Sequence, residues 1–117
     1  LVFGGRLKDS IRRRGENVSA FEVEQVVDAH PSVKESAAVG VPSEIGEEEI
    51  LVVLVPADES LTPADVAEHC ATLLPAFAVP RYVRFTTSLP KNSSERVLKY
   101  EIDFIDERTW DREAARA

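Results

Sequence analysis

The chain has 117 residues, of which 44% are hydrophobic and 30% are charged, and its formal net charge is −7. This composition is too apolar for a disordered chain and predicts one domain with its own core. The longest apolar run, 50–57, is far too short to span a membrane, and no signal-peptide pattern opens the sequence. The single cysteine, Cys70, excludes an internal disulfide and, with two separated histidines, argues against a metal site. We therefore expect a single-domain cytoplasmic protein.

The negative charge is unevenly distributed. Residues 1–17 carry five basic and two acidic side chains, residues 18–80 one basic and twelve acidic, and residues 81–100 five basic and one acidic. If the fold joined the two basic segments, they would form a positive field suited to a phosphorylated small molecule. The acidic remainder would repel a long polyanion, so no nucleic-acid partner is expected. The alternative is that both segments are solvated faces with scattered arginines.

The first predicted elements are a hairpin and a helix. Residues 1–14 alternate unevenly and contain an early pair of glycines, which predicts a short β-hairpin or a pair of short strands. Ser19 and Glu22 have the spacing of a helix capping box. Apolar residues then recur with helical periodicity to about His30, so an amphipathic helix is predicted to stop at Pro31.

Three strands are predicted further along the chain. Residues 36–41 are small and β-branched, and a polar, acidic loop follows over residues 43–49. Residues 50–55 are apolar at every position, which is typical of a strand covered on both faces. Residues 81–87 alternate, with Val83 and Phe85 on one face.

A second helix is predicted between these strands, with Thr62 as N-cap, Pro63 at the first helical position and Asp65 at the third. Its predicted inner face holds Val66, Cys70, Leu73 and Leu74. Cys70 is accordingly interpreted as a core residue, and His69 as a surface residue.

The predicted fold is a small α/β domain with an N-terminal β-hairpin and a central three-stranded sheet packed by helices. Residues 99–105 are predicted to add a short helix, and residues 109–117 to be charged and frayed. The domain is expected to cover residues 1–105, followed by a charged tail over 106–117. No phosphate loop, G-x-S-x-G elbow or usefully spaced Cys/His pair occurs in the sequence, so the chain alone is a poor candidate for an independent enzyme.

Residues 5–24, GRLKDSIRRRGENVSAFEVE, resemble the hinge-and-loop motif that begins the C-terminal domain of adenylate-forming enzymes. This superfamily contains acyl-CoA synthetases, luciferases and peptide-synthetase adenylation domains. The resemblance covers about residues 3–104 and continues through HPSV (30–33), AVGVP (38–42), LPAFAVP (74–80) and LPK (89–91). The RGENVS run is most similar to acyl-CoA ligases of the crotonobetaine/carnitine–CoA ligase type.

The resemblance implies a two-step reaction that uses ATP, Mg²⁺ and CoA. A carboxylic acid attacks the α-phosphate of ATP to give an acyl-adenylate and pyrophosphate, and the thiol of CoA then displaces AMP. The small domain is implied to rotate on a large N-terminal domain that is absent from this chain and that holds most of the ATP, metal and acid pocket. The isolated domain is therefore expected to be inactive, and the identity of the acid is left open.

The resemblance also implies roles for individual residues. Arg6 matches an arginine near the nucleotide ribose and phosphate, although it could instead tie the hairpin to the acidic body. Lys8 matches the hinge, where backbone torsions change between the two conformations. The residues implied to enter the active site for the thioester step and to bind CoA are Arg12, Gly15, Glu16 and Asn17. Arg12 is also implied to be catalytic, and Arg13 is left open.

One position departs from the family pattern. The closing motif of the family has a Gly-Lys pair whose lysine reaches the α-phosphate and carboxylate during adenylation, whereas this chain has Glu95-Arg96. Arginine keeps the positive charge but replaces a compact ammonium with a planar fork. Either Arg96 performs the catalytic role of the lysine, or adenylation is impaired. Lys91 and Lys99 do not occupy the matching position.

Two other functions remain open at this point. The Glu95-Arg96 pair is also compatible with a non-catalytic binding or regulatory module of the same fold. The loop motif is equally compatible with an adenylation domain that loads a carrier protein instead of free CoA.

Overall fold

The chain is built around a four-stranded sheet and a separate two-stranded hairpin. The structure is a computed structural model, and it describes residues 10–13, 15–42, 47–94, 96–102 and 104–112. Its elements in chain order are strands β1 (Ser10–Arg13) and β2 (Glu16–Ser19), helix α1 (Ala20–Asp28), strands β3 (Val33–Pro42) and β4 (Glu48–Pro56), helix α2 (Pro63–Leu73), a 3₁₀ turn (Ala76–Ala78), strand β5 (Tyr82–Phe85), a second 3₁₀ turn (Lys99–Glu101) and strand β6 (Trp110–Asp111).

A hairpin is present, and its second strand lies beyond the range predicted for it. Strands β1 and β2 pair antiparallel, with Ile11 opposite Val18. The chain reverses at Gly15, whose φ of 78° is in the left-handed region that favours glycine. The Ile11–Val18 pair faces the core, and the second strand, Glu16–Ser19, is the ENVS part of the RGENVS run. The part of the prediction that falls on residues 1–9 lies outside the described residues.

Both helices begin where their capping residues predict. In α1 the Oγ of Ser19 accepts the N–H of Glu22 at 3.3 Å, and the helix ends at Asp28, slightly before the predicted end at His30. In α2 Thr62 and Asp65 form a reciprocal capping box, with both hydrogen bonds 3.1 Å long.

The predicted inner face of α2 is correct except at its last residue. Val66 and Cys70 are buried, whereas Leu73 is 59% exposed. The helix ends at Leu73, and the following residue, Leu74, is extended and turns towards the core instead.

The sheet has the strand order β3-β4-β5-β6. Strands β3 and β4 are antiparallel, β4 and β5 are parallel across the α2 crossover, and β5 and β6 are antiparallel. Residues 109–117 were predicted to be frayed, and this is wrong for strand β6, the fourth strand of the sheet. Trp110 pairs with Val83 and packs against the core, and Asp111 accepts a hydrogen bond from Arg81 at 3.0 Å, so the two residues are held in the sheet.

Strand β4 is buried on both faces, as its sequence predicts. We call the face with Ile50, Val52 and Leu54 the helix face, because α1, α2 and the hairpin pack on it. We call the opposite face, with Leu51, Val53 and Val55, the loop face, because residues 89–102 cover it through Leu89, Val97 and Ile102. Within that segment only the turn Lys99–Glu101 is helical, so the predicted helix over 99–105 is shorter than expected.

Candidate functional site

The hairpin brings together the four residues implied for CoA binding. Arg12 lies directly opposite Asn17, and both side chains point away from the core because their neighbours Ile11 and Val18 point into it. Gly15 and Glu16 form the adjacent turn, and all four residues are exposed. No atom would lie within 4 Å of a Cβ at Gly15, so the space above the turn is open. Arg6 and Lys8 lie outside the described residues.

Two glutamates at the start of β4 hold the turn of the hairpin. The Oε1 of Glu48 accepts the N–H of Arg12 at 3.1 Å, and the Oε2 of Glu47 accepts the N–H of Gly15 at 3.1 Å. Sequence reasoning missed both acids because it assigned them to a polar loop. The opposite charges of the arginine run 12–14 and the glutamate run 47–49 are the signal that could have suggested the contact.

Gly40 on β3 makes room for one of these acids. A Cβ at Gly40 would lie 2.8 Å from the carboxyl carbon of Glu48 and 2.9 Å from both of its oxygens. Such contacts are shorter than van der Waals separation, so the carboxylate could not stay in place beside a larger residue. The absence of a side chain at position 40 therefore sets the position of the Glu48 carboxylate.

Arg96 lies in an exposed loop whose backbone is well held. The Oδ1 of Asn92 accepts the N–H groups of Ser94 at 2.8 Å and of Arg96 at 3.1 Å, and the N–H of Asn92 donates to the carbonyl of Arg96 at 2.9 Å. The Arg96 side chain itself makes no hydrogen bond or ion pair with another residue that the structure describes. Its neighbour Glu95 lies outside the described residues. These hydrogen bonds thus fix the backbone from which the exposed side chain of Arg96 extends.

The two nearby lysines are engaged in ion pairs at the edge of the sheet. The Nζ of Lys91 lies 2.7 Å from the Oε1 of Glu35, and the Nζ of Lys99 lies 2.8 Å from the Oε2 of Glu24. The same Glu24 oxygen accepts the N–H of Ala38 on the edge strand β3 at 2.8 Å. These ion pairs attach residues 89–102 to β3 and to α1.

The remaining arginines of the second basic segment are also engaged. Arg84 is only 6% exposed, donates to the carbonyl of Ile102 at 3.1 Å and to that of Phe104, and lies over the Phe104 ring. Burial lowers the pKa of Arg84, and the nearby Asp106 opposes that shift. Arg81 pairs with Glu49 and Asp111. Four of the five basic residues between 81 and 100 are therefore paired or buried, and this segment does not form a broad positive surface.

The hairpin and the Arg96 loop are carried on opposite faces of the sheet. Ile11 and Val18 of the hairpin join the core of the helix face. Leu89 and Val97, which flank the Arg96 loop, pack on the loop face. Arg12 and Arg96 therefore lie on elements that pack against opposite faces of the sheet.

A cleft of about 180 Å³ lies beside the hairpin on the helix face. Asn17 and Glu22 line one wall, and Leu74 and Phe77 of the LPAFAVP run line the other. This cleft connects the second half of the hairpin with another of the motifs that carry the family resemblance.

Cys70 is a core residue, as predicted, and burial raises the pKa of its thiol to about 12. The prediction that His69 is a surface residue is wrong, because its ring is half-buried and its Nε2 lies 2.6 Å from the carbonyl oxygen of Val26. No group of three or more His, Cys, Asp or Glu side chains in the described ranges could hold a metal ion. Those ranges also contain no helix with the length and apolar character needed to cross a membrane.

Comparison with known proteins gives one consistent result. The profile of the AMP-binding enzyme C-terminal domain matches residues 22–96. The chain is 41% identical over 97 residues to a long-chain-fatty-acid–CoA ligase of Yersinia pestis, covering 83% of this chain and 17% of that protein. It is 37% identical over 98 residues to a crotonobetaine/carnitine–CoA ligase of Proteus mirabilis, covering 83% of this chain and 19% of that protein. A fatty acyl CoA synthetase of Mycobacterium tuberculosis superposes with a TM-score of 0.79 and 33% identity, covering 84% of this chain and 20% of that structure. The chain thus spans about a fifth of the length of each.

Proposed function

Because the chain belongs to the AMP-binding enzyme C-terminal domain family, we propose that it is the mobile C-terminal domain of an ATP-dependent, AMP-forming acyl-CoA ligase. The names of the relatives support the ligase activity, and the motifs at residues 5–24 and 89–91 support the two-step chemistry. The partner of this domain is then the large N-terminal domain of the same enzyme. Its small-molecule substrates are a carboxylic acid, ATP and CoA.

The observation that carries the proposal is the placement of Arg12 and Arg96 on opposite faces of one sheet. Both residues have proposed roles at a single active site, one in each half-reaction. Strand β4 lies between the two elements and is buried on both faces, so the packing of the folded domain keeps the hairpin and the Arg96 loop on separate faces. A rotation of the whole domain would bring first the Arg96 loop and then the hairpin to the site, with the hinge at Lys8.

In the first half-reaction we assign charge neutralisation to Arg96. A carboxylate oxygen of the acid forms a bond to the α-phosphorus of ATP while the bond from that phosphorus to the pyrophosphate oxygen breaks. A guanidinium donates to two oxygens at once and stabilises the negative charge that accumulates on the phosphoryl group. We assign the binding of Mg²⁺ to the large N-terminal domain.

In the second half-reaction we assign the positioning of CoA to the hairpin. The CoA sulfur forms a bond to the acyl carbon, and the bond from that carbon to the AMP oxygen breaks. Arg12 and Asn17 lie side by side and exposed, so they can donate to a phosphate or an amide of the incoming CoA. The open space above Gly15 permits close approach of the pantetheine chain to the backbone.

The test is to measure the two half-reactions separately in the full-length enzyme. Adenylation is followed by exchange of pyrophosphate into ATP, with a panel of acids that includes a long-chain fatty acid and crotonobetaine. Thioester formation is followed from supplied acyl-adenylate and CoA. We expect Arg96→Ala to lower adenylation about 100-fold, the effect of removing one transition-state donor, and to leave the thioester step nearly unchanged. Arg12→Ala should do the reverse.

Arg108→Ala is the matched control, because Arg108 is exposed and belongs to neither loop. Equal losses in both half-reactions for either variant would contradict the assignment of one residue to each step. Absence of exchange with every acid would instead favour a non-catalytic module. Faster transfer to a holo-carrier protein than to CoA would favour carrier loading.

A further inference from the structure

We propose that Glu47 and Glu48 are positioning residues for the thioester-forming step. Their carboxylates hold the backbone of the hairpin turn that carries Arg12 and Gly15. This inference rests on the proposed function, because it assigns the two acids to the half-reaction in which the hairpin enters the active site.

The two acids bind backbone groups that the hairpin leaves free. In an antiparallel pair, every second residue directs its N–H away from the partner strand. The N–H of Arg12 donates to Glu48 instead of β2, and the N–H of Gly15 at the turn donates to Glu47. A carboxylate is a stronger acceptor for such groups than water or a neutral side chain. The two contacts fix the turn at both of its ends relative to β4.

The position of Glu48 in the sheet orients its carboxylate. It lies two residues before Ile50, so its side chain is on the helix face, where the hairpin packs. It is half-buried, and its carboxylate lies over Gly40, where a Cβ would come within 2.9 Å of either oxygen. Because Gly40 has no side chain, the carboxylate of Glu48 can occupy this position, and a larger residue at position 40 would displace it.

The charge of the turn gives a reason for using acids here. Arg12, Arg13 and Arg14 are consecutive in the sequence, so three like charges that repel one another are concentrated in this part of the chain. Two carboxylates bonded to the backbone of the same turn oppose that repulsion. A displacement of about 1 Å in a positioning element can lower a rate about 100-fold. The acids would therefore act on the rate of the thioester step without touching the substrate.

The experiment compares variants of the full-length enzyme in the two separated half-reactions. We expect Glu48→Ala and Glu47→Ala to lower kcat for thioester formation from supplied acyl-adenylate about 10- to 100-fold, and to change adenylation less than about twofold. Glu48→Gln should fall between the wild type and Glu48→Ala, because its amide oxygen still accepts the N–H of Arg12 but the negative charge is lost. Gly40→Ala should resemble Glu48→Ala, because it displaces the carboxylate while leaving Glu48 in the sequence. Glu68→Gln, on the exposed surface of α2, is the control.

Hydrogen exchange at the amides of Arg12 and Gly15 measures the protection given by their hydrogen bonds to Glu48 and Glu47, independently of catalysis. Both amides should exchange faster in the alanine variants, with no change in the core amides of β4. Equal losses in both half-reactions, or no rescue by glutamine, would reduce the two acids to a structural role. A normal thioester rate in a folded Glu48→Ala enzyme would overturn the inference. An inactive wild-type enzyme with normally protected amides would mean that the proposed function fails.

Discussion

Arg84 is a buried cation on β5, and its replacement provides a sharp test of how the loop face is held together. Its guanidinium donates to the carbonyls of Ile102 and Phe104 and lies 4.1 Å from the centre of the Phe104 ring. Arg84→Met keeps an apolar stem of similar length but removes every donor. We expect the variant to loosen the end of the segment that covers the loop face, and so to destabilise the whole domain.

The magnitude follows from the two carbonyl groups. Ile102 is 5% exposed, so water cannot easily replace the lost donor, and a hydrogen bond from a charged donor contributes about 1.5–3 kcal/mol. Phe104 is 47% exposed, so we expect a hydrogen bond from water to replace most of what its carbonyl loses. The cation–π contact adds about 0.5–1 kcal/mol at a partly exposed ring. The free energy of unfolding should therefore fall by about 2–4 kcal/mol.

Urea unfolding of the 117-residue chain, followed by far-UV circular dichroism, measures this change as a lower midpoint at an unchanged slope. Arg108→Met is the control, because it makes the same chemical change at an exposed arginine that lines a surface cleft together with Arg84. It should shift stability by less than about 0.5 kcal/mol. If Arg84→Met were as stable as this control, the hydrogen bonds from Arg84 would not hold the segment, and the account of the loop face would be wrong.

Two further predictions concern the helix face. The Cys70 thiol has its pKa raised by burial from 9.0 to about 12, so between these values the unfolded chain loses a proton that the native state keeps. Stability should therefore fall as the pH rises from 9 towards 12, and Cys70→Ala should flatten that part of the stability profile; an identical slope in the variant would contradict the assignment. Thr62→Ala removes one half of the α2 capping box and should lower the unfolding free energy by about 1 kcal/mol, whereas Thr62→Ser should restore most of it.

The features that could be predicted from the sequence are those fixed by neighbouring residues. A capping residue acts on amides three positions away, so Ser19 and Thr62 marked the helix starts correctly. Continuous apolar character marked β4 as buried on both faces. The family motif singled out residues 12 and 15–17, which lie on one hairpin.

What could not be predicted depends on partners far away in the chain. Strand β6 has two residues, too few for any periodicity, and Trp110 joins the sheet only because Val83 lies beside it. Strand β2 was not predicted because its pairing with β1, not its composition, determines its ends. Arg84 occupies an alternating position that looks solvent-exposed in sequence, and it is buried because a later segment folds over it. Glu48 reaches Arg12 across 36 positions, which no local pattern indicates.

The distribution of charge in the fold explains how an acidic protein could bind anionic substrates. A net charge of −7 opposes the approach of a polyphosphate, and the second basic segment does little to offset it because most of its cations are bonded internally. Arg96, on its loop, and Arg12, on strand β1, remain exposed, and the backbone of each is held by hydrogen bonds. Since attraction between exposed charges is screened within about 10 Å, single guanidinium groups act only at contact distance. Recognition of ATP and CoA by this domain would then depend on where each arginine is held, and the hydrogen bonds of Asn92 and Glu48 to the backbone are what hold them.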